Sequence, residues 1–185
     1  MRIVAGTLRG RAIASPLDKD IRPTSDRVRE AVFNILAHGI DDFRIEGTRV
    51  LDLFAGTGAL GLEAISRGAA YCLFVEQDAD ARGLIRQNIE AFGLTGVTRI
   101  FRRDATSLGP AGRADSFGLV LCDPPYGQGL GEKALAAAAE GGWLAAGAVA
   151  VLEEREGTAI ALPPGFEEID RRSWGQTQVL IARYH

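Results

Sequence analysis

Val50-Leu51-Asp52-Leu53-Phe54-Ala55-Gly56-Thr57-Gly58-Ala59-Leu60-Gly61 decides how this chain is read. An apolar run of strand length meets a glycine-rich turn. The turn opens onto a helical pattern over residues 59–67, closed by Gly68. Strands buried on both faces of a parallel sheet read as near-continuous apolar runs. Glycines at a strand-to-helix turn supply positive φ and let a ligand approach the backbone. The spacing matches Gly-x-Gly-x-x-Gly. Glu76 ends the next apolar run about 20 residues further on, the distance expected of a ribose-binding acid. A nucleotide-like cofactor is therefore expected at this turn.

The rest of the chain repeats the same unit. Residues 71–76, 98–102, 117–122 and 148–153 read as strands, and residues 80–92 and 130–140 as helices. Residues 105–113 read as loop or short helix. Residues 166–174 and 177–184 read as a closing hairpin through Gly175. Strands alternating with helices predict an α/β fold, a mostly parallel sheet covered on both faces with an antiparallel closing strand.

Ahead of this unit, residues 1–14 alternate around Gly6 and Gly10 and predict a short β-hairpin with arginines at its turn. Residues 15–23 read as loop. Thr24 or Ser25 is an N-cap candidate, and Val28, Ala31, Val32, Ile35 and Leu36 form a helical core stripe ending before Gly39. The expected organisation is an extension over residues 1–40 and a main domain over residues 41–185.

Composition narrows the classes. Hydrophobic residues are 46% and charged residues 24% of 185, an ordinary globular balance. No apolar run is long enough to span a bilayer, and the first residues do not form a signal peptide, so the expected place is the cytoplasm. Cys72 and Cys122 fall inside apolar runs and read as buried reduced thiols. The two histidines, His38 and His185, stand near no cluster of ligands, so no metal site is expected. Net charge is −3, but residues 1–30 hold seven Lys/Arg against four acids. A basic end on an acidic body fits phosphate contact through one face.

Asp123-Pro124-Pro125-Tyr126 follows the 117–122 strand without a gap. Neither proline can continue a ladder, and each residue before a proline is pushed to extended geometry. A stiff tip results, with a carboxylate and a carbonyl side by side and an aromatic face next to them. Two acceptors suit the two hydrogens of an exocyclic amine. Asp52 bears on the cofactor. A carboxylate beside the turn is unfavourable for a pyrophosphate, which a helix N-terminus would otherwise favour. It suits a ligand with an ammonium or other positive charge, such as S-adenosylmethionine.

These residues resemble a known group. Asp52-Leu53-Phe54-Ala55-Gly56-Thr57-Gly58 is similar to the cofactor loop of seven-stranded, Rossmann-like S-adenosylmethionine-dependent methyltransferases. The tip is similar to the (Asp/Asn)-Pro-Pro-(Tyr/Phe) signature of those acting on exocyclic or amide nitrogens. Met1 to Gly6 with Arg9-Gly10-Arg11, and Arg22-Pro23-Thr24-Ser25-Asp26-Arg27-Val28-Arg29-Glu30, resemble the RsmD family of bacterial 16S rRNA guanine-N2 methyltransferases. The resemblance implies that Asp52 and the backbone of Gly56 to Gly58 hold the methionine part of the cofactor, with Phe54 among the cofactor-binding residues. By the same resemblance Glu76 takes the ribose hydroxyls, and Asp104 and Ala105 meet the adenine. Asp123, Pro124 and Tyr126 then serve the base, Arg22 and Thr24 close over the site, and Arg2, Arg9 and Arg11 grip RNA phosphates. The implied partner is 16S rRNA, within an assembling small ribosomal subunit, and the implied protein is a monomer. The tip motif also admits adenine N6 or a glutamine amide as acceptor. An NAD-dependent oxidoreductase would use the glycine turn but leaves the tip unexplained. A non-catalytic RNA-binding module is the remaining alternative.

Overall fold

The computed structural model describes residues 1–17 and 25–185. Seven strands form one sheet: β1 (Arg49–Leu53), β2 (Tyr71–Val75), β3 (Thr98–Phe101), β4 (Phe117–Cys122), β5 (Leu144–Arg155), β6 (Phe166–Trp174) and β7 (Thr177–Tyr184). Their order in space is β3-β2-β1-β4-β5-β7-β6. The first five run parallel, and β7 lies antiparallel between β5 and β6. The α/β sheet with an antiparallel closing strand is the one expected. Among the described residues four α-helices join it: α1 (Asp26–His38), α2 (Ala59–Ser66), α3 (Ala79–Ala91) and α4 (Leu130–Glu140).

Strand periodicity sorts side chains between two cores. Val50, Leu119 and Leu121 face a core shared with α1, α2 and α3. Leu51, Leu53, Val120 and Cys122 face the other, which holds Ala134, Leu135 and Trp143. The same alternation turns Asp52 toward α2. Strand β5 begins at Leu144, earlier than the expected 148. Its first residues join the sheet through an irregularity, since Phe117 pairs with Leu144 while Leu119 pairs with Val149. Ala145, Ala146 and Gly147 carry too little side chain to produce an alternating pattern. The edge strand β6 is mostly exposed and charged, with a register shift between Glu168 and Asp170. Charge and a bulge both discourage edge-to-edge pairing.

The N-terminal residues form the expected hairpin, reduced to a single bridge between Arg2 and Ala12. Ile3 and Ile13 are 1% and 4% exposed and lie in the α1–α3 core. Glu63 of α2 is the hub of this docking. It accepts from the amides of Val4 (2.9 Å) and Ala5 (3.1 Å) and from the guanidiniums of Arg29 (3.2 Å) and Arg67 (3.0 Å). Arg29 is fully buried on α1 and also donates to Asp26 and to the Arg2 carbonyl. Asn88 of α3 adds a second clasp, accepting from Ala14 N–H (2.7 Å) and donating to the Thr57 carbonyl (3.0 Å). Ser25 caps α1 by accepting from Val28 N–H, one of the two expected caps. Among the described residues no helix is long and apolar enough to cross a membrane.

Candidate active site

The strand order reverses direction between β1 and β4, which are hydrogen-bonded neighbours. Ligands in open α/β sheets bind at the carboxyl ends of the strands flanking such a switch point. Here the β1 end carries the glycine turn and the β4 end carries the Asp123–Tyr126 tip. Both open onto one cleft of about 860 Å³. That is within the range of small-molecule sites, roughly 300–1,000 Å³.

On the glycine side, Phe54, Gly56, Glu76 and Ala105 line the cleft, as expected. Phe54 has φ +55°, rare for a bulky residue, so the chain turns sharply as it leaves β1. Gly56 has φ +59°, and a Cβ there would meet nothing nearer than the Phe54 carbonyl at 4.0 Å. The bare turn leaves room for a ligand against its backbone. Glu76 Oε1 accepts from Gly56 N–H at 2.8 Å, and its Oε2 from Asp78 N–H at 3.0 Å. The acid thus fixes the turn, and each oxygen keeps a second lone pair for a ligand hydroxyl.

Three residues expected to contact the cofactor do not line this cleft. Asp52 is 1% exposed and does not line the cleft. Its Oδ2 accepts from Gly61 N–H at 3.0 Å. Gly58, the N-cap of α2, has no side chain to satisfy the first helical donors, and Asp52 does so from the strand below. Burial holds the Asp52 carboxyl well above the usual carboxylate range; the Gly61 bond opposes this, and the charges of Asp123 and Glu76 add to it. Asp52 therefore contributes to the cleft floor from beneath. Gly58 does not line the cleft either; its φ of +83° starts the helix, and a Cβ there would press on Phe74 at 3.2 Å. Asp104 is exposed, lies outside the lining, and caps the short turn Ala105–Ser107 by accepting from Thr106 N–H at 2.9 Å. Arg22 and Thr24 fall outside the described residues.

On the tip side, Asp123, Pro124 and Tyr126 all line the cleft. Tyr126 Oη donates to Glu153 Oε1 at 2.6 Å and stands 3.2 Å from Thr177 Oγ1. Burial first, then the Glu153 bond, push the phenol above its ordinary range. Glu153 and Arg155 line the cleft from the β5 end, and Arg103 from the residues after β3. The sequence reading passed over these three. Glu153 carried a usable signal, since it ends an apolar run just as Glu76 does. Arg103 carried none, because its place follows from its guanidinium lying 4.5 Å over Phe101 and donating to the Leu108 carbonyl.

The hairpin arginines are exposed. Arg2 donates to the Gly10 carbonyl (2.7 Å), and Arg11 to the Ala91 carbonyl (2.8 Å) while lying 5.0 Å over Phe92. Cys72 and Cys122 are buried free thiols, pushed up by burial. Among the described residues no group of three His, Cys, Asp or Glu could hold a metal ion.

A sheet in this order, with a glycine turn after β1 and an acidic prolyl tip after β4 sharing one cleft, defines the class: the Rossmann-like methyltransferase fold. The model of the family described as Conserved hypothetical protein 95 matches residues 1–183, and the chain belongs to that family. It is 36% identical over 171 residues to ribosomal RNA small subunit methyltransferase D of Escherichia coli (strain K12), covering 92% of this chain and 83% of that one. The resemblance to the RsmD family therefore holds along nearly the whole chain. YlbH of Bacillus subtilis (strain 168), named as a candidate rRNA methyltransferase, is 38% identical over 128 residues, 68% of this chain and 67% of that one. The solved structure of yhhF from Escherichia coli superposes with a TM-score of 0.83 at 30% identity, covering 100% of this chain and 97% of that one.

Proposed function

We propose that this protein transfers a methyl group from S-adenosylmethionine to the exocyclic N2 amine of a guanine in 16S rRNA. The observation that carries the reading is the meeting of the glycine turn and the Asp123-Pro124-Pro125-Tyr126 tip on one cleft. The cleft suits a cationic, nucleoside-sized ligand. Asp123 and Glu76 line the cleft, and their charges, which help to raise the Asp52 carboxyl buried beneath, favour a positive group there. When bound, the ligand supplies a methyl group activated by a sulfonium.

The protein's part is placement and electrostatics. Gly56 presents a bare backbone to the ligand, and Glu76 offers its remaining lone pairs to ribose hydroxyls. Asp123 Oδ and the Pro124 carbonyl each accept one hydrogen of the amine. That aims the nitrogen lone pair into the cleft and offsets the positive charge developing on nitrogen. Asp123 or water then takes the proton. Tyr126 gives the base a stacking face, worth about 1–3 kcal/mol by analogy with other base–aromatic stacks. A base inside a duplex cannot reach such a site, so the target is unpaired or flipped out.

One base in a pocket does not select a position on a long RNA. Arg2, Arg9 and Arg11 supply phosphate contacts on the surface, and the substrate is an assembling small ribosomal subunit in the cytoplasm, met by a monomer. The test is methylation of 16S rRNA and of small-subunit particles with labelled S-adenosylmethionine, followed by mass spectrometry of the nucleosides. N2-methylguanosine is expected. N6-methyladenosine, or label in protein glutamine, overturns the reading.

A further inference from the structure

Pro124 and Pro125 have no N–H, so neither can donate to a neighbouring strand. The tip that has to hold a base is thus short of the usual backbone fastening. The structure fastens it just beyond the prolines, to strand β5. Tyr126 Oη donates to Glu153 Oε1 at 2.6 Å, with Thr177 Oγ1 of β7 at 3.2 Å. Gly127 N–H donates to Glu154 Oε1 at 3.0 Å, the oxygen that also accepts from Arg155 N–H at 2.7 Å. Glu153, Glu154 and Thr177 are 7%, 2% and 5% exposed. Burying one carboxylate is costly unless it is well bonded, and here two neighbours on one strand are buried. Successive strand residues face opposite sides, so one packing role does not explain both. Each ends on a different anchor of the tip.

We propose that Glu153 is a positioning residue for methyl transfer: its carboxylate fixes the Tyr126 ring against β5 and β7, and so sets the angle at which the Asp123-Pro124 acceptors meet the base. This rests on the methyltransferase reading given above. A phenol donating to a carboxylate makes a short, charge-assisted bond with one preferred direction, which a loop held only by packing would lack. Among the described residues, the groups facing the phenol include Glu153, Thr177 and Asp123.

Four variants test it: Glu153→Ala, Glu153→Gln, Tyr126→Phe, and Glu153→Ala combined with Tyr126→Phe. Glu153→Ala lowers kcat on the order of 10- to 100-fold, the cost of a misplaced near-attack geometry. Its affinity for S-adenosylhomocysteine, read by calorimetry, stays within about twofold, since uniform binding is untouched. Glu153→Gln keeps an acceptor for the phenol and recovers most of the rate. Added to Tyr126→Phe, Glu153→Ala costs less than about threefold more, because the shared contact is already gone. Equal losses in both backgrounds, or a loss confined to cofactor affinity, overturn the proposal. A second readout needs no substrate. Ultraviolet difference titration of the phenols follows one tyrosine lower in Glu153→Ala than in wild type, with burial still holding it above the ordinary range, and an unmoved titration also overturns the proposal. If the titration moves as expected while the wild-type protein methylates no RNA, the clamp stands and the functional reading fails.

Discussion

At the residue scale, Asp52 and Asp123 are both acids at strand ends, and the structure gives them opposite surroundings. Asp52 is buried under the turn, and burial holds its carboxyl well above the usual carboxylate range. A raised folded-state value means that the native state holds the proton more tightly than the unfolded chain. Stability from this group is therefore full below the unfolded value and is eroded as pH rises above it. Asp52→Asn removes that penalty and keeps an acceptor for Gly61. In the ligand-free protein it should melt above wild type at about pH 7, with the gap closing toward about pH 4. Thermal scans across pH check this, and a lower melting point for the variant at neutral pH would count against it. Asp123 lines the cleft instead. Asp123→Ala should lose methyl transfer by about 10²–10³-fold or more, the scale of removing one electrostatic anchor of a transition state. Calorimetry with S-adenosylhomocysteine should show binding preserved, and near-normal turnover would sink the assigned role.

At the element scale, the turn between β1 and α2 is where side-chain volume matters most. A Cβ on Gly61 would stand 2.5 Å from Phe74 Cε1, 2.6 Å from Cys72 Sγ and 3.0 Å from Asp52 Oδ2. All three belong to strands beneath the helix, so the helix has to lift. Gly61→Ala should cost about 1–3 kcal/mol or more, the usual penalty for overpacking a filled core. Denaturant unfolding measures the loss. The last glycine of the motif thus serves the packing of helix on strand, while Gly56 leaves the cleft open. Gly131 makes the matching contact at the start of α4, where a Cβ would stand 2.3 Å from Leu152 Cδ1 and 3.3 Å from Pro124 Cγ. Both loops that shape the cleft are therefore followed by a helix that sits tightly on the sheet.

At the scale of the whole molecule, the N-terminal hairpin and α1 are built into the main core through Ile3, Ile13, Phe33 and the Glu63 hub. Glu63→Ala removes the buried one of the two carboxylates that Arg29 meets, leaving only the half-exposed Asp26, and should cost about 3–5 kcal/mol. Because the hairpin and the main sheet share one core, calorimetry should show a single unfolding transition rather than two. A separate low-temperature transition would mean that residues 1–40 unfold on their own. On the outer surface of the hairpin, Arg9→Ala should weaken RNA binding and reduce the slope of log affinity against log salt by about 1, the signature of one lost phosphate contact. Unchanged affinity and slope at low salt would remove the hairpin from the RNA surface.

Short-range patterns accounted for the sheet, the glycine turn and the tip. Apolar runs and helical stripes are set by neighbours in sequence, and glycine and proline restrict the backbone wherever they stand. Residues 117–122 and 130–140 were legible to the residue on those grounds. The resemblance in residues 1–36 supplied guanine and 16S rRNA, which no local pattern contains. Other features were decided only when distant segments met. Asp52 lies under α2 because the strand alternation and the helix position coincide there, and no sequence rule distinguishes a buried strand-end acid from a cleft-lining one. Glu63 reaches Val4 across 59 positions, and Tyr126 reaches Glu153 across 27. Such bonds depend on which strands lie side by side. The order β1-β4-β5-β7 brings the tip to its two carboxylates, and that order is a property of the folded sheet.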